Sequence, residues 1–218
     1  TLAVPLARAG HRVHGCDFAE AMLTILDERA AAEHLPITSH LLAWEDDWEA
    51  AGLGTDSVDV AFASRSLMAE AVGPFVAKLD SAARSRAAVV VPASLLPSCD
   101  PRLLTYLGRT AKRPRVVRDV TRALTSLGRI PVVATTRTFR PMRFSSFDEA
   151  RADLRRLAGP EPFTAREQRL FDAYAAQHVV REDLTGPSEV AEEHWVLDYR
   201  LPVTWAFIGW STDGSEWA

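Results

Sequence analysis

The chain has two cysteines in 218 residues, Cys16 and Cys99. They form no metal-like or redox-like pair, and so few thiols exclude a disulfide-built scaffold; a reducing cytoplasm is the expected setting. Asparagine is absent, which removes N-glycosylation. Lysine is almost absent as well: of 25 basic residues only Lys78 and Lys112 are lysines. No apolar run approaches the roughly 18 residues of a membrane span, and the best of them, 87–91, stops at Pro92. A membrane partner is therefore not expected. The chain opens at Thr1 without a signal-peptide pattern. Its six histidines are scattered, with no zinc-binding spacing, so no metal is expected. There is no G-x-S-x-G elbow and no P-loop, which leaves hydrolase and nucleotide-triphosphatase chemistry without support.

What is present fits an ordinary globular domain, with 47% hydrophobic and 25% charged residues. The net charge of -4 hides an asymmetry. Segment 102–156 carries 14 Lys+Arg against four acids, a balance of +10, so the remainder carries -14. Two readings are open: an anionic or nucleic-acid partner, or arginines on solvated helix faces beside acidic segments.

Periodicity divides the chain into alternating elements. A helix is predicted over 2–8, stopped by Gly10, then a strand over 12–16 ending at Asp17. Next come a helix over 19–33 with Met22, Leu23 and Leu26 on one face, and a strand over 37–42. Strands at 58–63 and 87–91 flank a helical stretch over 66–83 that Gly73-Pro74 should break or restart. Helices over 101–111 and 117–127 precede a strand at 132–136. Ser146 is a predicted N-cap for a helix over 147–157, and Thr164 with Glu167 forms a capping box for one over 165–177. The last strands are 194–199 and 203–210. Only Arg200-Leu201-Pro202 separates them, so pairing of the last with the strand near Val132 is the alternative to a tight hairpin. The implied fold class is α/β: a doubly wound, mostly parallel sheet with helices on both faces.

In such sheets ligands bind beyond the carboxyl ends of the strands. Asp17 is the most informative residue there. An acid at a strand tip can accept hydrogen bonds from both ribose hydroxyls of a nucleoside, or it can simply cap the helix that follows. The run Gly15-Cys16-Asp17-Phe18-Ala19-Glu20-Ala21-Met22-Leu23 resembles the second-strand segment of class I S-adenosylmethionine-dependent methyltransferases, where the pattern is roughly G-x-D-x-S-x-x-M-L. An acid-rich turn after the third strand of that family, a V-D-V strand ending in a polar loop, and a late helical insertion before a final hydrophobic strand extend the likeness over most of the chain.

The resemblance implies S-adenosylmethionine as cofactor, with Asp17 on its ribose and Phe18 and Met22 near its adenine. Trp44 and Glu45 fall at the adenine edge, with Ala43 where the family carries an acid. Ser64, Arg65 and Ser66 line the methionine part or the substrate mouth. It also implies an antiparallel last strand, and a single Rossmann-like domain over 1–218 with a helical insertion around 145–190. The family's first strand and glycine-rich loop would lie about 20 residues before Asp17, ahead of Thr1. Other readings remain for the same side chains: Phe18 and Met22 as core, Trp44 and Trp48 as cover for the sheet edge, Arg65 as an ion-pair partner of Glu70. Ser64-Arg65-Ser66-Leu67 replaces the aromatic-flanked proline motif used by enzymes that methylate amino groups of adenine or glutamine. Methyl transfer from a sulfonium releases a neutral thioether and needs no leaving-group acid, so no diagnostic catalytic residue is expected. Glu70, Arg65 and segment 137–156 are candidates for substrate contact. The expected activity is methyl transfer to a small molecule. A nucleic-acid (RNA) methyltransferase using 102–156, and a non-catalytic binding protein of this fold, are the alternatives.

Overall fold

Helix and strand alternate through the first half of the chain. The computed structural model, which describes residues 2–67, 71–95, 98–110, 115–140, 142–182 and 194–217, begins with α1 (Ala3–Arg8), β1 (Val13–Asp17), α2 (Glu20–Glu33) and β2 (Ile37–Leu41). Gly10, at φ +94°, turns the chain out of α1 in a conformation that glycine adopts without steric penalty. β1 and β2 pair in parallel, Val13 opposite Ile37 and Asp17 opposite Leu41, and α1 and α2 pack against them. Within α2, Leu23 is buried and Met22 exposed, so Met22 does not belong to the packed face.

Next come β3 (Val58–Ser64), α3 (Gly73–Ala82), β4 (Ala83–Pro92), α4 (Pro101–Leu107), α5 (Val116–Ser126) and β5 (Val132–Arg140). The helix predicted over 66–83 starts only at Gly73, with Pro74 in its first turn, where a missing N–H removes no helical bond. Glu70 lies outside the described residues. The last third holds β6 (Arg143–Phe144), α6 (Phe147–Leu157), α7 (Ala165–His178), β7 (Val179–Glu182), β8 (His194–Leu197) and β9 (Leu201–Ser211). Both predicted caps are present. Ser146 Oγ accepts from Glu149 N at 3.1 Å. Thr164 Oγ1 accepts from Glu167 N at 3.2 Å while Glu167 Oε2 accepts from Thr164 N at 2.8 Å.

Strand order resolves the ambiguity at the end of the chain. β9 lies antiparallel between β4 and β5, giving the sheet β3-β4-β9-β5 in which β3, β4 and β5 share one direction. β8, the strand predicted over 194–199, turns away into a small antiparallel sheet, β6-β8-β7, whose other two strands gave no periodic signal. The anticipated continuous sheet is divided: among the described residues β1-β2 forms a sheet of its own, and β1 and β3 each keep one unpaired edge.

Two hydrophobic cores result. The row Ala63–Val89–Ile208 belongs to the first, together with Val76 and Leu79 of α3 and Val120 and Leu124 of α5. The neighbouring row Phe62–Ala88–Gly209 points to the opposite face, where Trp217 lies so close to Gly209 that a Cβ would meet its ring at 2.6 Å. The second core joins Leu103, Leu154, Leu157, Phe171 and Ala175 of α4, α6 and α7 to Leu201 and Val203 of β9. β9 thus supplies side chains to both.

Two outcomes follow. Ile208→Ala, at a fully buried site on β9, should lower unfolding free energy by about 2–5 kcal/mol, measured from urea denaturation. Glu167 is held down at about 2 by its hydrogen bond from Arg109, then by the Thr164 N–H and hydroxyl. A carboxyl depressed on folding contributes stability above its unfolded value, and that contribution disappears as pH falls from about 4.5 to about 2. Glu167→Gln should flatten the stability–pH curve in that window.

Candidate active site

Parallel pairing brings strand ends together, and the loops that follow converge on one side. Asp17 ends β1, and its carbonyl oxygen accepts from Leu42 N at 3.0 Å, just past the end of β2. Two residues on, Trp44 Nε1 donates to Ser66 O at 3.1 Å, tying the β2 loop to the β3 loop. Asp17, Trp44 and Ser66 are therefore linked through short steps of backbone.

Asp17 is half-buried, and its Oδ1 accepts from Ala19 N at 2.9 Å, closing the turn into α2. The capping role is thus real. It uses one oxygen; among the described residues Oδ2 carries no hydrogen bond, so a second donor can be met there. Phe18, next to Asp17 in the chain, is 79% exposed, and Met22, in the first turn of α2, is 54% exposed, so neither belongs to the packed core. Desolvation pushes the neighbouring Cys16 thiol up to about 11, so it offers no thiolate at neutral pH.

Trp44 is more committed than the sequence indicates. Its ring stacks on Trp48 at 5.2 Å and on Phe75 at 5.1 Å, and both tryptophans pack against the first core. Lys78 of α3 donates to the carbonyls of Trp44 and Asp46, both at 2.6 Å, and Asp46 Oδ2 accepts from Ala43 N at 2.7 Å. This acidic turn is a built structure with an exposed Glu45 at its tip. Lys78 gave no signal in the sequence, because the contact runs from α3 back to a loop more than 30 residues earlier.

Ser64, Arg65 and Ser66 are exposed at the end of β3. Arg65 adopts φ +60°, a left-handed conformation that costs a residue with a Cβ roughly 1–2 kcal/mol. It is fixed on both sides, by Arg65 N donating to Val90 O at 2.9 Å and by the Trp44–Ser66 bond. The guanidinium then crosses the end of β4 to lie 5.5 Å from the ring centre of Trp205 on β9. Trp205 as a platform for Arg65 was not legible in sequence, since only the β4–β9 register sets them together.

Most arginines of segment 102–156 that make ion pairs do so within the fold. Arg109 pairs with Glu167, Arg129 with Asp80, Arg143 with Glu182, Arg151 with Asp172 and Arg156 with Asp153. Asp100, a fully buried carboxylate, accepts from Tyr199 at 2.5 Å and from Arg102 N at 2.9 Å, and Tyr199 accepts from Tyr174 at 2.9 Å. Burial, reinforced by Asp100, pushes the Tyr199 hydroxyl far upward, so Tyr199 keeps its proton, and the Tyr174–Tyr199–Asp100 chain joins α4 and α7 to the turn before β9. Cavities of about 340 Å³, between α4 and α7, and about 220 Å³, beside Asp46 and Lys78, are lined by none of Asp17, Phe18, Met22 or Ser64–Ser66. The candidate site is an open edge. No cluster suited to holding a metal occurs among the described residues.

No protein-family model matches the chain, and no curated protein matches it significantly by sequence. Solved structures match by shape. A structure reported under "Conversion of a Disulfide Bond into a Thioacetal Group during Echinomycin Biosynthesis" aligns with 98% of the chain and 72% of its own length, at TM-score 0.51 and 12% identity. A protein of Bacillus halodurans C-125 described as a methyltransferase aligns with 93% of the chain and 83% of its own, also at 0.51 and 12%. Geranyl diphosphate C-methyltransferase from Streptomyces coelicolor A3(2), in complex with Mg2+, geranyl-S-thiolodiphosphate and S-adenosyl-L-homocysteine, aligns with 96% of the chain at TM-score 0.50 and 11% identity; the chain spans 64% of its length. The fold is that of S-adenosylmethionine-dependent methyltransferases, with the antiparallel strand placed as the resemblance implies.

The strained backbone at Arg65 has a measurable consequence. Arg65→Gly should exceed Arg65→Ala in stability by about 1 kcal/mol, read from paired urea titrations, because only glycine occupies that conformation without penalty.

Proposed function

We propose that the protein transfers a methyl group from S-adenosylmethionine to a small-molecule acceptor. The observation that carries this reading is Asp17 at the carboxyl end of β1, with one carboxylate oxygen closing the α2 turn and the other without a partner among the described residues, followed within five residues by exposed Phe18 and Met22. These residues fit a nucleoside: the free oxygen suits a sugar diol and the two apolar side chains suit a purine. When bound, the cofactor supplies an electrophilic methyl group on a positively charged sulfur. Asp17 orients the sugar, and the rigid β2 and β3 loops, stitched by Trp44 and Ser66, set where the far end of the ligand lies. Glu45 is placed to reach the adenine edge. Ser64, Arg65 and Ser66 stand where the acceptor meets the methyl group. Alignment of nucleophile and methyl, with water excluded, supplies the rate in such a site.

The domain reading goes with it. Among the described residues β1 and β3 each keep one unpaired edge, suited to a further strand. Helices α6 and α7, within the 145–190 insertion, form with α4 a cap seated on the amino end of β9. A small acceptor is favoured over RNA because so many of the 102–156 arginines are engaged with carboxylates of this chain.

Calorimetry with S-adenosylhomocysteine and with NAD separates the two nucleoside cofactors such a sheet could hold; binding of the first alone is expected. Asp17→Ala should weaken S-adenosylhomocysteine binding by about 10–100-fold, the worth of charge-assisted hydrogen bonds. Asp17→Asn, which keeps an oxygen for Ala19 N, should preserve stability yet still bind more weakly. Unchanged affinity in Asp17→Ala removes the ribose assignment.

A further inference from the structure

The arginines of this protein are held in two ways. Away from the carboxyl ends of the strands they meet carboxylates, as in Arg84–Asp59 at 2.5 Å and Arg129–Asp80 at 2.8 Å. Rings carry arginines elsewhere too, Arg86 on Trp217 and Arg155 on Phe163; where β3, β4 and β5 meet the start of β9 they carry four. Arg65 lies on Trp205 at 5.5 Å and Arg102 on Tyr199 at 4.6 Å, while Arg137 and Arg200 share Phe139 at 5.8 and 5.7 Å. Among the described residues none of these four makes an ion pair. The carboxylates at this end are already engaged, Asp100 by Tyr199 and Asp198 by His178 at 2.9 Å. The result is a row of four arginines held by rings, with no ion pair among the described residues, where the sheet meets the start of β9.

Arg65 is the best positioned of the four. It is exposed, it follows β3 at the place assigned above to the acceptor, and it holds a left-handed backbone that nothing in β3 itself requires. Strain of this kind persists where the surroundings over-determine it, and it gathers at ligand sites. A guanidinium held over an indole has already lost part of its side-chain freedom, and its planar fork of N–H donors can meet two oxygens of one anion.

We propose that Arg65, seated on Trp205, receives an anionic group of the methyl acceptor, a carboxylate or a phosphate. The assignment rests on the methyl-transfer reading and narrows it to an acidic substrate class.

The test uses small anions as probes, with S-adenosylhomocysteine measured separately. Inorganic pyrophosphate and malonate are titrated in parallel, followed by the indole N–H resonance that Trp205→Phe removes. Saturable binding of one probe is expected, and which one binds more tightly distinguishes a phosphorylated from a carboxylated acceptor. Arg65→Gln should weaken that probe at least tenfold while changing S-adenosylhomocysteine affinity less than twofold; Arg65→Lys, a point charge without the fork, should fall between. Equal anion binding by parent and Arg65→Gln overturns the proposal, as does the absence of saturable binding. A parallel loss of S-adenosylhomocysteine affinity in Arg65→Gln also overturns it, by placing the guanidinium on the cofactor's own carboxylate. Arg65-dependent anion binding by a parent that does not bind S-adenosylhomocysteine keeps the anion site and overturns its assignment to a methyl acceptor.

Discussion

β9 enters the sheet antiparallel, hydrogen-bonded to β4 along one edge and to β5 along the other, and both hydrophobic cores are built on its side chains. Its first residues, Leu201 and Val203, close the core beneath α4, α6 and α7. Its last apolar residues, Ala206, Ile208 and Trp210, close the core beneath α3 and α5. An alternating strand has two faces, and the neighbour on each face changes along its length. A late segment of the chain can therefore fasten the cap to the sheet without a separate linker. Trp210 adds a polar lock, donating from Nε1 to Asp80, which also holds Arg129.

The same strand sets the chemistry of the cleft. By pairing Trp205 with Pro92 at the end of β4, it presents an indole to Arg65 from two strands away. Parallel strands bring Asp17, the β2 loop and the β3 loop to one side, and the antiparallel strand brings the aromatic platforms to meet them. The site is assembled from strand ends and short loops, each braced by backbone hydrogen bonds rather than by a buried pocket. Such an arrangement suits a reaction in which alignment matters more than acid or base strength.

Local features were legible from the residues themselves. The capping box at Thr164 and Glu167, the Ser146 cap, the Gly10 stop and the restart at Gly73-Pro74 all act within four residues of the chain, so the sequence states them directly. The pairing of 203–210 with the strand near Val132 was legible only as an alternative to a hairpin. Of the small β6-β8-β7 sheet only β8 was legible, as the strand over 194–199; β6 and β7, of two and four residues, carry too little periodicity. Met22 was grouped with Leu23 and Leu26 although helical geometry sends adjacent residues to different sides, and it lies exposed. Trp44 could be placed after a strand, but not between Trp48 and Phe75.

By itself the sequence determined most of the alternating helices and strands, the position of Asp17 at a strand tip, and a resemblance in the second-strand pattern around it. Those properties come from short-range sterics, capping and hydrophobic period. Tertiary structure decided that the parallel strands fall into two sheets, that Trp44 is bound into the edge of the core, and that Arg65 rests on an indole instead of a carboxylate. Each of these is a contact between segments far apart in the chain, fixed by strand register and packing, and a linear pattern holds no information about register until the strands have found their partners.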